Sequence, residues 1–186
     1  MREGEPALLK SEPSGTRILE TPLFTERQKG TGAALKELSL NILDIAMNSV
    51  KAGAALIEIS LEEDAETLTV VIRDDGCGMD EEQLARLSDP FFTTRTTRKV
   101  GMGVPFYRLA AEQTGGRVSF ESTPRTRDPV HHGTTVTALF YKNHIDFTPL
   151  GSIVDTVCTL IHGSPDIDFV FRHRLEGGCV ELDTRV

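Results

Sequence analysis

Between residues 33 and 52, apolar side chains recur at three- and four-residue steps: Leu35, Leu38, Ile42, Ile45, Ala46 and Val50. That period gathers them on one stripe of an amphipathic helix, and Gly53 stands where a left-handed C-cap belongs. The period then shortens. Residues 55–61 and 67–73 alternate or run apolar around Glu62 to Glu66, which predicts a β-hairpin. Asp80, followed by Glu81, Glu82 and Gln83, supplies an N-cap and an acidic first turn for a short helix reaching Leu87. After Gly103 the stretch VPFYRLAAEQTGG predicts a helix with Pro105 in its first turn and Gly115 past its end. Residues 117–122 and 134–141 read as two more strands, joined by the exposed loop TPRTRDPVHHG. Farther on, residues 149–162 predict a helix capped by Thr148 and ended by Gly163, burying Leu150, Ile153, Val154, Val157 and Ile161. Residues 167–174 and 179–183 form a hairpin across LEGG.

The order is helix, hairpin, short helix, loop, helix, hairpin. It predicts the α+β class: a two-layer sandwich of a mostly antiparallel sheet with helices on one face, plus a small C-terminal α/β extension. Residues 1–30 hold Pro6, Pro13 and Pro22 without periodicity and read as a flexible N-terminal arm. Residues 31–143 form the main domain. Residues 144–186 form a helix–hairpin extension, too short for a core of its own and expected to pack on the domain or on a partner. No G-x-G-x-x-G opens a first βα unit, and no P-loop is present.

Composition narrows the function. A net charge of −8, from 28 acidic and 20 basic residues, argues against nucleic acid as a partner. No apolar run approaches the roughly 18 residues of a membrane span, and the first residues lack the apolar run of a secretory signal. Cys77, Cys158 and Cys179 show no C-x-x-C spacing and read as free thiols of a cytoplasmic protein. His131, His132, His144, His162 and His173 suit no metal cage and read as surface or loop residues.

Four short elements carry candidate chemistry. Asp44 and Asn48 are four residues apart, on one helix face. Asn48 falls among apolar positions, so it is either satisfied inside the fold or turned to a ligand; its amide oxygen is a hard donor suited to Mg²⁺. In IRDDGCGMD, Asp74 precedes Gly76 and Gly78. This is either a tight strand-to-helix turn or a pocket floor, where a carboxylate meets a ligand's amine and glycines let the ligand approach. A calcium loop is disfavoured, because the D-x-D-x-D-G spacing and the distal glutamate are missing. PFFTTRTTRK concentrates Arg95, Arg98 and Lys99 beside Thr93 and Thr94: a solvated basic loop, or a set of donors for phosphate oxygens. Gly101-Met102-Gly103-Val104 opens a helix, where free N–H groups favour an anion. Gly133-Thr134-Thr135 begins the last strand of the main domain.

Taken in this order, the elements resemble the GHKL ATPase superfamily, which covers gyrase B, the large heat-shock chaperone, histidine kinases and the MutL mismatch-repair ATPases. The resemblance spans residues 33–142. LDIAMNSVKAGA looks like the N box, VIRDDGCGM like the D-x-G-x-G box and PFFTTR like the opening of the ATP lid. VGMGV is similar to the second glycine box, and HGTTVTALF to the final glycine–threonine strand. The resemblance implies the Bergerat ATP-binding fold, with ATP and Mg²⁺ as cofactors. Asn48 would coordinate Mg²⁺, and Asp74 would accept from the adenine amino group, alongside a water helped by Thr135. Gly76 and Gly78 would give the base room, and Gly101 and Gly103 would cradle phosphate. The implied cofactor-binding set is completed by Met79, Phe91, Thr93, Thr94, Arg95, Lys99, Met102 and Val104.

Hydrolysing members carry a glutamate where this chain has Asp44, one methylene shorter, which makes Asp44 the candidate base or water-orienting group. The short lid looks most like histidine kinases and the anti-sigma-factor serine kinases. The leading expectation is therefore a kinase-like protein that binds Mg-ATP or ADP and passes phosphate or a signal to a protein partner or phosphoacceptor supplied in trans. The alternatives are a slow ATPase whose nucleotide gates a conformational change or a homodimer, and a nucleotide-sensing module without catalysis.

Overall fold

A computed structural model describes residues 37–88 and 103–185. The arm expected over residues 1–30 and the loop expected over residues 90–99 lie outside the described residues. Helix α1 (Leu38–Lys51) turns Leu38, Ile42, Ile45 and Ala46 inward and ends at Gly53, which has the positive φ of 70° that the C-cap requires. Its N-terminus has no side-chain cap. Instead the Leu38 and Ser39 amides donate to the carbonyls of Pro149 and Leu150, at 2.9 and 2.8 Å. This corrects the helix expected from residue 149. Gly151 adopts φ 72°, the chain turns there against Glu37, and the carbonyls before it serve α1. The later helix starts only at Ile153, with Ser152 as its cap.

Strands β1 (Leu56–Glu63) and β2 (Thr67–Asp74) form the expected hairpin, its turn held by Asp64, which accepts from the Glu66 and Thr67 amides. Helix α2 (Glu81–Ser88) begins with a reciprocal capping box: Asp80 accepts from the Gln83 amide, and the Gln83 side chain accepts from the Asp80 amide. Helix α3 (Gly103–Gln113), β3 (Arg117–Thr123), β4 (Gly133–Tyr141), α4 (Ile153–Gly163), β5 (Asp168–Leu175) and β6 (Gly178–Asp183) follow. The strands make one sheet in the order β3-β4-β2-β1-β5-β6, antiparallel except for the parallel β1–β5 pair. The α+β sandwich expected from the pattern is the fold observed.

Period-two alternation decides which sheet face is buried. Ile57, Ile59 and Leu61, Leu68, Val70 and Ile72, and Val136, Ala138 and Phe140 form the rows beneath α1, α3 and α4. The other face carries Glu58, Arg73, Thr135 and Glu121 in register across four strands. The C-terminal segment adds to the same sheet: β5 pairs with β1, and Phe169 and Phe171 join the common core. Val154, expected inside, is 64% exposed, because α4 turns Ile153, Thr156, Val157 and Leu160 inward. His173 is neither a surface nor a loop residue. It lies in β5 with its Nε2 3.1 Å from Glu63, whose other oxygen meets Lys142 Nζ at 2.7 Å. Among the described residues, no helix is long and apolar enough to cross a membrane.

Candidate functional site

The buried row Leu68, Val70, Ile72 runs out at Asp74, so strand alternation alone delivers a carboxylate to the end of the apolar core. Asp74 is 8% exposed, and a carboxylate so placed must be hydrogen-bonded. The Ser49 hydroxyl donates to Oδ2 at 2.6 Å, while the amides of Gly76 and Thr134 donate to Oδ1 at 2.9 and 3.3 Å. An ionised carboxylate has roughly four acceptor positions. Donors among the described residues take three of them, which leaves one on Oδ2.

Neither Ser49 nor Thr134 was singled out from the sequence. Ser49 had a signal: it is a hydroxyl on the buried stripe of α1, and such a group needs a partner. Thr134 had none, because the β2–β4 register sets it opposite Asp74. The same register corrects Thr135. It pairs with Arg73 on the other sheet face, since successive residues of a strand point to opposite sides.

The glycine turn is also corrected. A Cβ at Gly78, where φ is 66°, would lie 2.0 Å from the Thr123 carbonyl oxygen. At Gly76 it would lie 2.9 Å from the Ala52 Cβ and 3.0 Å from Asp74 Oδ1. Both glycines make room for the protein's own atoms, so clearing space for a base is not what requires them. The turn is pinned to the sheet: the Met79 amide donates to Ser122 Oγ at 2.8 Å, and that hydroxyl lies 3.0 Å from the Gly133 carbonyl and 2.9 Å from Thr134 Oγ1.

At the other end of the site, exposed Asp44 and half-buried Asn48 stand one turn apart on α1. A Cβ on Gly103 would meet the Asp44 Cβ at 2.5 Å and its Oδ2 at 3.0 Å. Helix α3 therefore opens directly against the Asp44 carboxyl, a favourable place for negative charge at a helix N-terminus. The Val104 side chain is buried in the core. Phe91, Thr93, Thr94, Arg95, Lys99, Gly101 and Met102 lie outside the described residues. Among the described residues, no group of three His, Cys, Asp or Glu side chains could cage a metal ion. Asn48 offers a single hard oxygen, which suits an ion such as Mg²⁺ that keeps waters and takes further ligands from substrate phosphates.

Comparison with known proteins converges on one family. Residues 21–144 match the model of the histidine kinase-, DNA gyrase B- and HSP90-like ATPases. Sporulation kinase B of Bacillus subtilis is 29% identical over 108 residues, 58% of this chain and 24% of that protein. The sensor histidine kinase CitA of Klebsiella pneumoniae is 31% identical over 107 residues, 50% of this chain and 19% of that protein. The chain thus spans about a quarter or less of these curated relatives. Among solved structures, the Aquifex aeolicus MutL ATPase domain complexed with ADP superposes with a TM-score of 0.53 at 10% identity, covering 82% of this chain and 65% of that one. The N-terminal domain of a DNA repair protein gives 0.51 at 18% identity, covering 81% and 52%.

Proposed function

The chain belongs to the histidine kinase-, DNA gyrase B- and HSP90-like ATPase family, and from that premise we propose that it binds Mg-ATP over Asp74 and passes phosphate or a signal to a protein partner in trans. The observation that carries this reading is the state of the Asp74 carboxylate, oriented by three donors with one acceptor position free on Oδ2. Adenine's exocyclic amine is a donor of the kind that position takes. Asn48 would hold Mg²⁺, which when bound neutralises charge on the phosphate oxygens. Thr93, Thr94, Arg95 and Lys99 would supply donors to the phosphates, and the backbone of Gly101 and Gly103 would receive them at the start of α3. Kinship with sensor kinases supports the partner in trans.

Asp44 supports a second reading, slow hydrolysis. Its carboxyl lies beside Gly103, where the phosphates would enter, so it could orient or deprotonate a water.

Calorimetric titration with ATP and ADP, with and without Mg²⁺, tests the proposal. The native chain is expected to bind. Asp74→Asn keeps the shape but sets an N–H where the free acceptor was, and is expected to weaken binding by about tenfold or more. Equal binding by the two proteins, or none by a folded native chain, would overturn the reading.

A further inference from the structure

The loop between β3 and β4 is joined to the glycine turn by two contacts, and a third braces the loop itself. The Arg125 amide donates to the Cys77 carbonyl at 2.9 Å. His132 Nδ1 lies 2.6 Å from the Gly76 carbonyl, and Arg125 Nε donates to His132 Nε2 at 3.2 Å. The last contact decides the tautomer: Nε2 accepts from the guanidinium, so the ring is neutral and Nδ1–H donates to Gly76. The Gly76 amide meanwhile donates to Asp74 Oδ1, so this one residue is held by the carboxylate on its nitrogen and by the imidazole on its oxygen. Gly133 presses the loop home, because a Cβ there would lie 1.9 Å from the Asp74 carbonyl oxygen.

We propose that His132 is a positioning residue of the nucleotide pocket, a strut that holds the Gly76 peptide and through it the Asp74 carboxylate in the geometry that receives the base. This rests on the ATP reading above. His132 lines a cleft of ≈ 320 Å³ together with Asp74, Asp75, Glu58, Arg73 and Glu121. The Asp75 carboxylate is engaged by the Ala55 and Leu56 amides. The consequence is nucleotide affinity that falls when the imidazole is removed.

Two measurements on the full chain separate this idea from the ATP reading. The first is amide hydrogen exchange of residues 76–79 without nucleotide. His132→Ala is expected to speed exchange about tenfold relative to the native chain, and His132→Asn, which keeps an N–H donor to Gly76, is expected to restore most of the protection. The second is ATP affinity by calorimetric titration, in which His132→Ala should bind about tenfold more weakly than the native chain and His132→Asn should recover most of the affinity. Unchanged exchange in His132→Ala would overturn the strut whether or not ATP binds. Equal ATP affinity in the native chain and His132→Ala would overturn the positioning role. Faster exchange in His132→Ala, beside a native chain that binds no ATP, would overturn the positioning role together with the ATP reading.

Discussion

Removing one hydroxyl tests whether Asp74 is held as described. Ser49→Ala deletes the donor 2.6 Å from Oδ2, between a serine 5% exposed and an aspartate 8% exposed, so little water can replace it. A hydrogen bond to a charged group contributes about 1.5–3 kcal/mol, a sizeable share of the roughly 5–15 kcal/mol that holds a typical domain together. At about 2–4 °C per kcal/mol for a chain of this size, the melting temperature should fall by roughly 3–12 °C. Urea unfolding of four proteins isolates the pair: native, Ser49→Ala, Asp74→Asn and the double variant. In the Asp74→Asn background the serine meets a neutral amide, and its loss should cost only about 0.5–1.5 kcal/mol. The difference between the two backgrounds is the coupling energy, expected near 1 kcal/mol or above. A serine deletion that costs under about 0.5 kcal/mol in both backgrounds would refute the reasoning, since a buried charge losing a donor cannot be that indifferent.

Three further expectations concern the frame around the site. Gly53→Ala and Gly78→Ala both place a side chain at positive φ, but Gly53 has nothing within 4 Å while Gly78 faces the Thr123 carbonyl; thermal melts should show about 1–2 kcal/mol lost at Gly53 and clearly more at Gly78. Glu63 is held below its ordinary carboxylate value first by the Lys142 hydrogen bond and then by His173, against the opposing effect of burial. A lowered folded value means stability that is present above the unfolded value and lost as pH falls through the folded one, so Lys142→Met should flatten the acid limb of stability below the ordinary glutamate value and leave the neutral limb's slope unchanged. The Tyr107 hydroxyl is buried without a hydrogen-bond partner among the described residues, so Tyr107→Phe should be neutral or stabilise by up to about 1 kcal/mol, and a loss greater than that in urea unfolding would contradict the placement.

Local pattern along the chain was enough to place most of the elements and to pick out Asp74 as a candidate. The 3.6-residue stripe of α1 and the alternation of β1 and β2 are short-range patterns that record which face of each segment is buried, and the Asp80 N-cap is as local. Asn48 was legible because it puts a polar group among apolar positions, and Asp74 because it precedes two spaced glycines at a strand end. What the tertiary structure decided are relations between segments distant along the chain. Alternation shows that Thr134 and Thr135 face opposite ways, but only the β2–β4 register shows which one meets Asp74. Gly78 reads as a glycine demanded by a turn or by a ligand; the Thr123 carbonyl, packed into the space a side chain would need, shows that it is the protein's own backbone. The carbonyls of Pro149 and Leu150 look locally like the start of a helix, yet they cap α1, more than a hundred residues earlier. Periodicity is written residue by residue, whereas register, close approach and shared hydrogen bonds exist only once separate segments have come together.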